Sequence, residues 1–574
     1  MKRIALWLSL LGLALAGLFG LRRRALAWLA RLPAPRYRVD VERGLRIPAY
    51  DGVVLVADHY APRTESLLPT ILIRSPYGRS ARYSPFGAFL AFCGRLFAER
   101  GYHVVIQDTR GRFASGGAFN PPFDETDDGL ATLDWLARQP WYDGRVGLWG
   151  PSYLGITQWA LAPHAPQVRA IMPIVTSSNL RDVLMPDGTL DLGLAMRWVA
   201  ILDTLERHKQ NPYPATLLML RSVEKQIEPA FQHLPLADAE TVAVGRPVEY
   251  YRNWLEHHDP DDPLWEALHE RIRLTDDGTA VHLVGGWYDF FLRGLLADYA
   301  ALRDAGQKPY LTIAPTHHFN GMVSPLALRE GLRWFDAHLK GEQGALRERP
   351  VHVYMMGLEQ WRALNDFPPP SREALLYLGS EAALQPSPAS DIQEGDRYLY
   401  DPANPTPILG GNQFNPHAGA KDNRSLEARS DVLTYTSSVL EQPVEVMGTA
   451  RLTLYARSSV EHTDFFARLC DVCPDGRSIN ICDGFLRVTP ESAARQPDGT
   501  LCLEIDLWAT AYYFKRGHRI RLIIASGAHP RWARNLGTGE SWVNGQTLRQ
   551  AQQTILHDRE RPSRLSLPLT AGSL

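Results

Sequence analysis

The sequence predicts an α/β domain built on a mostly parallel sheet, interrupted by a helical insertion and followed by an all-β sandwich. Three observations predict it. Short β-branched or aliphatic runs alternate with helical stretches from about residue 53 to 149; that alternation fades between about 179 and 274 and then resumes; and after Phe367-Pro368-Pro369-Pro370 the chain changes to many short alternating runs.

Residues 70–74, 103–107 and 146–149 read as strands. Residues 89–100 and 127–138 have helical spacing, and Gly101 stands where a C-terminal cap belongs. Segment 179–274, amphipathic and rich in Leu, Trp, His and Glu, reads as a helical insertion. The β/α pattern returns with strands at 280–285 and 310–314 and helices at about 292–305 and 326–339. Runs at 444–456, 463–472, 501–510 and 518–525 then read as strands of a sandwich, some separated by turns such as Pro474-Asp475-Gly476 and Pro497-Asp498-Gly499. The expected division is a leader or anchor with its linker at 1–36, the sheet domain in two parts at 37–178 and 275–368, a helical cap at 179–274, and the sandwich at 369–574.

Composition narrows the function classes. The 574 residues are 45% hydrophobic and 22% charged, with 45 Gly and 42 Pro, which fits a turn-rich globular protein and excludes disorder, collagen and coiled coil. Sixty-one basic residues against 63 acidic ones give a net charge of −2, and no long basic stripe runs through the body. Nucleic-acid binding through phosphate neutralisation therefore has no support, and a small neutral or apolar partner is expected. Nothing in the sequence sets an oligomeric state.

Residues 4–21 carry no charge and lie between Lys2-Arg3 and Arg22-Arg23-Arg24. At about 1.5 Å per residue they would reach about 27 Å as a helix, marginal for a hydrocarbon core of about 30 Å. A membrane-directed segment is expected, either a leader cut near Ala14-Leu15-Ala16 or a retained anchor, which would place the body in the cell envelope or outside the cell.

The most informative stretch is Val146-Gly147-Leu148-Trp149-Gly150-Pro151-Ser152-Tyr153-Leu154-Gly155. An apolar strand enters a tight turn with Ser152 at its apex, and a helix follows. Nucleophile elbows need this arrangement, because small neighbours permit the strained turn and the helix N-terminus favours negative charge developing nearby. The usual pattern has glycine two residues after the serine; here Leu154 stands there and glycine comes at Gly155. A serine hydroxyl needs a base to take its proton, so an acid and a histidine should follow. Asp289 stands just beyond the strand at 280–285, and His317-His318 just beyond the strand at 310–314, the ends where open α/β sheets place ligands. Spacing alone does not choose between His317 and His318. A metal reading of the pair lacks ligands, and His257-His258 reads as a polar loop.

Ser152-Tyr153, Asp124-Glu125-Thr126-Asp127-Asp128-Gly129, Arg74-Ser75-Pro76-Tyr77-Gly78-Arg79, Asp108-Thr109-Arg110-Gly111-Arg112-Phe113, Gly286-Trp287-Tyr288-Asp289 and His529-Pro530-Arg531-Trp532 resemble segments of the bacterial cocaine esterase and Xaa-Pro dipeptidyl-peptidase family. The resemblance runs from about Val39 to the C-terminus. It implies an α/β-hydrolase sheet domain with a helical cap insertion and a C-terminal jelly-roll that is galactose-binding-like. It further implies Ser152 as nucleophile, Asp289 as the acid and His318 as the base, with the Tyr77 phenol and the Tyr153 backbone N–H forming an oxyanion hole, and Asp108 with Arg110 as a structural ion pair. No cofactor and no metal is implied.

Ala314 replaces the family's usual glycine. Members that need an α-amino group on the acyl part carry acidic residues near the nucleophile, whereas Leu154 offers an ammonium no partner. The expected substrate is therefore a small-molecule ester, or an amide, with a small neutral or aromatic acyl group. Leu154, Phe290, Phe291 and Trp198 are candidates to line its pocket, together with Trp254 and Trp265. An Xaa-Pro dipeptidyl-peptidase or an acyltransferase with the same triad is the alternative; from another class, so is a catalytically inert carbohydrate-binding protein.

Five cysteines are too few for a disulfide scaffold. If Asp475-Gly476 were a two-residue hairpin loop, Cys470 would face Ile481 and Cys482 would face Leu469, leaving packed free thiols; a zinc site would need a further ligand that this segment lacks.

Overall fold

The computed structural model describes residues 31–574 apart from 211–212, 260, 273–277 and 494, so the membrane-directed segment read at 1–24 lies outside the described residues. Among the described residues no helix is long and apolar enough to cross a membrane. Strands β1 (Val39–Pro48), β2 (Val54–Pro62), β3 (Leu68–Ser75), β4 (His103–Asp108), β5 (Tyr142–Pro151), β6 (Val168–Ile174), β7 (Ala280–Tyr288), β8 (Tyr310–His317), β9 (Val351–Met355) and β10 (Gln360–Leu364) form one sheet in the order β1-β2-β4-β3-β5-β6-β7-β8-β9-β10. It is parallel from β4 to β9 and antiparallel at both edges.

The central strands are buried almost end to end, as expected of a parallel sheet with both faces covered. Helices Pro85–Ala98, Glu125–Ala137, Tyr153–Leu161, Leu292–Asp304 and Pro325–Lys340 supply the cover. The first begins four residues before the sequence expectation because Ser84 caps it, its side chain accepting from the Gly87 N–H, with Pro85 in the first turn. Between β6 and β7 the described chain is helical, from Leu180–Leu184 to Pro263–Ile272, and contains no strand.

The C-terminal part comprises β11 (Arg372–Gly379), β12 (Ala383–Gln385), β13 (Asp396–Tyr400), β14 (Leu433–Ser437), β15 (Val444–Ser458), β16 (Thr463–Val472), β17 (Ser478–Val488), β18 (Leu501–Phe514), β19 (Arg519–Ala525), β20 (Ala551–Leu556) and β21 (Arg564–Ala571). The architecture is an α/β-hydrolase-type domain joined to an all-β domain.

Two sequence expectations fail locally. Asp108 and Arg110 do not pair. Asp108 is bound by Arg79, which follows β3, while Arg110 reaches out to Asp128 at 2.6 Å and Asp51 at 2.7 Å. The β16–β17 connection spans five residues, since Val472 pairs with Ser478, and a bulge after Leu469 sets Cys470 opposite Asn480 rather than Ile481, though Cys482 does face Leu469. All five cysteines are free thiols; Cys93, Cys470 and Cys482 are buried, Cys473 is half-buried and Cys502 is exposed.

Candidate active site

Ser152 sits between β5 and the helix Tyr153–Leu161 with φ +59° and ψ −129°, a left-handed backbone that a non-glycine residue adopts only where its surroundings enforce it. The enforcement is visible. The Ser152 N–H donates to the Ile174 carbonyl at 2.8 Å, and the Gly155 N–H donates to the Ser152 carbonyl at 2.8 Å. The displaced glycine has a packing reason. A Cβ on Gly155 would lie 2.2 Å from Thr176 Cγ2, and a Cβ on Gly150 would lie 2.5 Å from Leu154 Cβ. Gly150 thus makes the room that Leu154 fills, and Gly155 lets the helix lie against the end of β6.

The three side chains expected to converge form one hydrogen-bonded chain. His318 Nε2 is 3.0 Å from Ser152 Oγ, and His318 Nδ1 is 2.9 Å from Asp289 Oδ2. All three are buried. Asp289 follows β7, and its other oxygen accepts from the Phe291 N–H at 2.8 Å, which fixes the carboxylate plane. Phe290 and Phe291 pack on the imidazole with ring centroids 4.5 and 5.6 Å away. The neighbouring His317 is not in this chain. Burial, which outweighs the pull of Asp289, lowers its pKa to about 4.

Tyr77, two residues beyond β3, places its phenol at the same place. Its backbone is held by a bond from its N–H to Ser75 Oγ at 3.1 Å and by the Ser84 hydroxyl, which donates to its carbonyl. Its oxygen accepts from Trp198 Nε1 at 3.0 Å. Burial raises the phenol above its ordinary pKa, against the opposing hydrogen bonds with Trp198 and Ser152, so it remains a proton donor through neutral pH. Tyr153 opens its helix, where N–H groups have no intrahelical acceptor. Its own hydroxyl donates to Glu125 at 2.9 Å, and Glu125 is ion-paired with Arg74 at 2.8 Å.

A narrow cavity opens onto Ser152. Its walls are Tyr77, Tyr153, Ile156 and the aromatics Trp198, Trp254, Phe290, Phe291 and Phe414, closed by Leu180, Val183, Leu184 and Leu194 from the insertion. Among the described residues no carboxylate or cationic side chain lines it. Two expected lining residues are elsewhere: Leu154 is buried beneath Gly150, and Trp265 turns away to donate its indole N–H to the His257 carbonyl at 2.5 Å. The apolar character attributed to Leu154 belongs instead to Ile156 and the four aliphatic side chains of the insertion.

Phe414 is the residue that sequence reasoning missed. It lies in the irregular chain between β13 and β14, yet its ring stands 5.3 Å from His318 and stacks on Phe319 at 4.8 Å. From the same loop, Asn412 Nδ2 donates to the Asp289 carbonyl at 3.3 Å. Gly410-Gly411 ahead of it marks a turn, but no local period marks the ring as part of the site.

The model of the X-Pro dipeptidyl-peptidase (S15) family matches residues 51–320, and that of the X-Pro dipeptidyl-peptidase C-terminal non-catalytic domain matches 343–566. Over 571 aligned residues the chain is 34% identical to the cocaine esterase of Rhodococcus sp. (strain MB1 Bresler), covering 92% of this chain and 98% of that one. Among solved structures, an aminopeptidase from a marine sediment Thaumarchaeota archaeon superposes with TM-score 0.77 at 21% identity, covering 93% of this chain and 97% of that one. An α-amino acid ester hydrolase superposes with TM-score 0.75 at 20% identity, with the same coverage.

Proposed function

We propose, from the premise that this chain belongs to the X-Pro dipeptidyl-peptidase (S15) and cocaine esterase family, a division of labour among named residues. The chain is a serine hydrolase acting on carboxylic esters. In the proposed mechanism His318 Nε2 takes the Ser152 proton as Oγ attacks the carbonyl carbon. Asp289 holds the imidazole by its Nδ1–H and balances the charge it gains. The tetrahedral oxyanion is stabilised by the Tyr77 hydroxyl and the Tyr153 N–H, and loss of one such donor typically costs about a hundredfold to a thousandfold in rate. His318 then gives its proton to the departing alcohol. Water, deprotonated by the same imidazole, releases the acid.

The acyl group is neutral and small or aromatic. The observation that carries this is the cavity beside Ser152, walled by aliphatic and aromatic side chains with no carboxylate to meet an ammonium; burying an unpaired cation there would cost several kcal/mol. The test is a matched set of benzoyl, butyryl and α-aminoacyl esters of one alcohol, assayed beside an Xaa-Pro amide, with Ser152→Ala as control. The neutral esters should turn over fastest and the variant should be inert. Preference for the α-aminoacyl ester or the Xaa-Pro amide would overturn the acyl assignment, and an active Ser152→Ala would overturn the nucleophile.

The uncharged stretch at 4–21 supports direction of the body to a membrane or across it. Sequencing the N-terminus of the protein from a membrane fraction and from the medium tests this.

A further inference from the structure

Register places a second group of chemically capable side chains far from Ser152 in sequence. In the C-terminal domain β16 and β19 run antiparallel, with Asp471 opposite Ile520 and Val472 opposite Arg519. One step further along the same register, Cys473 faces His518 across the two strand ends. Asp471, two residues before Cys473, projects to the same side of β16. One donor atom from each of Asp471, Cys473 and His518 lies within 4.8 Å of the other two. Segment 470–482 alone lacks a further ligand, and the fold supplies it from the turn before β19.

The electrostatics ask for a cation. The Asp471 carboxylate is buried, and among the described residues no Lys or Arg forms an ion pair with it. Its partners are His518 Nδ1, at 2.8 and 2.9 Å from its two oxygens, and the Tyr512 hydroxyl, which donates at 2.8 Å. Arg468, three residues back along the chain, is bound to Asp483 at 2.8 Å, and Arg477 to Asp475 at 2.7 Å. The Tyr512 hydrogen bond to Asp471 is the outer contact that orients a ligating carboxylate.

We propose that Asp471, Cys473 and His518 form a zinc-binding site that ties the β16–β17 turn to the β18–β19 turn. Thiolate and imidazole donors select a borderline-soft ion over calcium or magnesium. Zinc bonds of about 2.0 Å to nitrogen and oxygen and about 2.3 Å to sulfur set tetrahedral donors about 3.3–3.6 Å apart, so the imidazole and carboxylate, now at 2.8 Å, must part slightly and the thiol, within 4.8 Å of both, must draw in. Binding breaks the Cys473 S–H bond and releases that proton to solvent. His518 coordinates through Nδ1 with its proton on Nε2, the hydrogen bond to Asp471 gives way to the metal, and a water completes the tetrahedron.

The experiment uses the full chain carrying Cys502→Ser, which removes the one exposed thiol, stripped with chelator and titrated with Co²⁺. The expected result is a sulfur-to-cobalt charge-transfer band saturating at one equivalent per chain and displaced by Zn²⁺. Cys473→Ser should abolish the band. His518→Gln should weaken binding at least tenfold, and Tyr512→Phe about tenfold through the outer contact. Ester hydrolysis, whose residues lie elsewhere, reports that each variant is folded; should Cys473→Ser fail to fold, His518→Gln decides the question. Absence of the band in the parent, or a band of unchanged affinity in Cys473→Ser or His518→Gln, would overturn the proposal.

Discussion

The indole N–H of Trp198 donates to the phenolic oxygen of Tyr77 at 3.0 Å. Because a phenol carries a single proton, accepting from Trp198 leaves that proton free to be aimed at the carbonyl oxygen held over Ser152. Trp198 belongs to the insertion helix Leu192–Arg207, and Arg112 ties the same pieces together by donating to the Pro76 carbonyl at 3.0 Å and the Leu202 carbonyl at 3.1 Å. In the proposed mechanism the insertion therefore sets the aim of the oxyanion donor as well as walling the cavity. Trp198→Phe should lower kcat about fivefold to tenfold, the rate equivalent of about 1 kcal/mol. Tyr77→Phe should lower it by about a hundredfold or more. In a double variant the Trp198 effect on kcat should vanish, since its target is gone; full additivity would assign Trp198 to acyl packing alone.

The adjacent histidines should separate cleanly. His318→Gln should reduce kcat by several orders of magnitude. His317→Gln should leave turnover within about threefold and the acid limb of the pH–rate profile in place, because burial lowers His317 to about 4 and keeps it uncharged where the enzyme works. A shifted acid limb in His317→Gln would implicate it in the proton transfers.

Gly155→Ala should destabilise the fold by about 1–3 kcal/mol, the usual range for forcing a methyl group into a packed site. The added Cβ would meet Thr176 Cγ2 at 2.2 Å. Thr176→Ser, which deletes that methyl, should restore part of the loss when combined with it. Thermal unfolding of the four proteins measures both effects, and no rescue would mean that the clash is relieved by movement of the helix instead.

Acid should unfold the protein earlier than its carboxylates alone would require. Burial lowers His59 to about 3, His103 to about 4 and His529 to about 3, whereas an unfolded histidine titrates near about 6.5. Between those values the unfolded chain binds protons that the folded chain does not, so stability falls as pH falls through the window from about 6.5 to about 3. His59 and His529 should each contribute about 1–2 kcal/mol of this loss by pH 5. Denaturant midpoints at pH 7.5 and 5 should show it, and replacing His529 with Asn should make the slope shallower. Equal midpoints would mean that these imidazoles take up protons while folded.

What could be read in advance was what local periodicity and strand order encode. The runs ending at Trp149, Gly285 and Ala314 lie within β5, β7 and β8, and the order serine, aspartate, histidine followed from which strand ends carry them. What could not be read depends on contacts between segments distant in sequence. Arg79 rather than Arg110 reaches Asp108 because the chain after β3 folds back over the end of β4. Leu154 adjoins Ser152 in sequence, but the helix turns it under Gly150 and out of the cavity wall. Phe414 gave no signal because an irregular loop has no repeat distance that would disclose its target.

That last contact bears on how the protein is made. A nascent chain that has left the ribosome only as far as Pro370 already holds Ser152, Asp289 and His318, but it lacks the ring that stands against His318 and the amide that bonds behind Asp289. Without that last third of the chain the cavity would lose its Phe414 wall and the Asp289 carbonyl its bond from Asn412, so the Ser152 end of the sheet is closed only by residues translated after it.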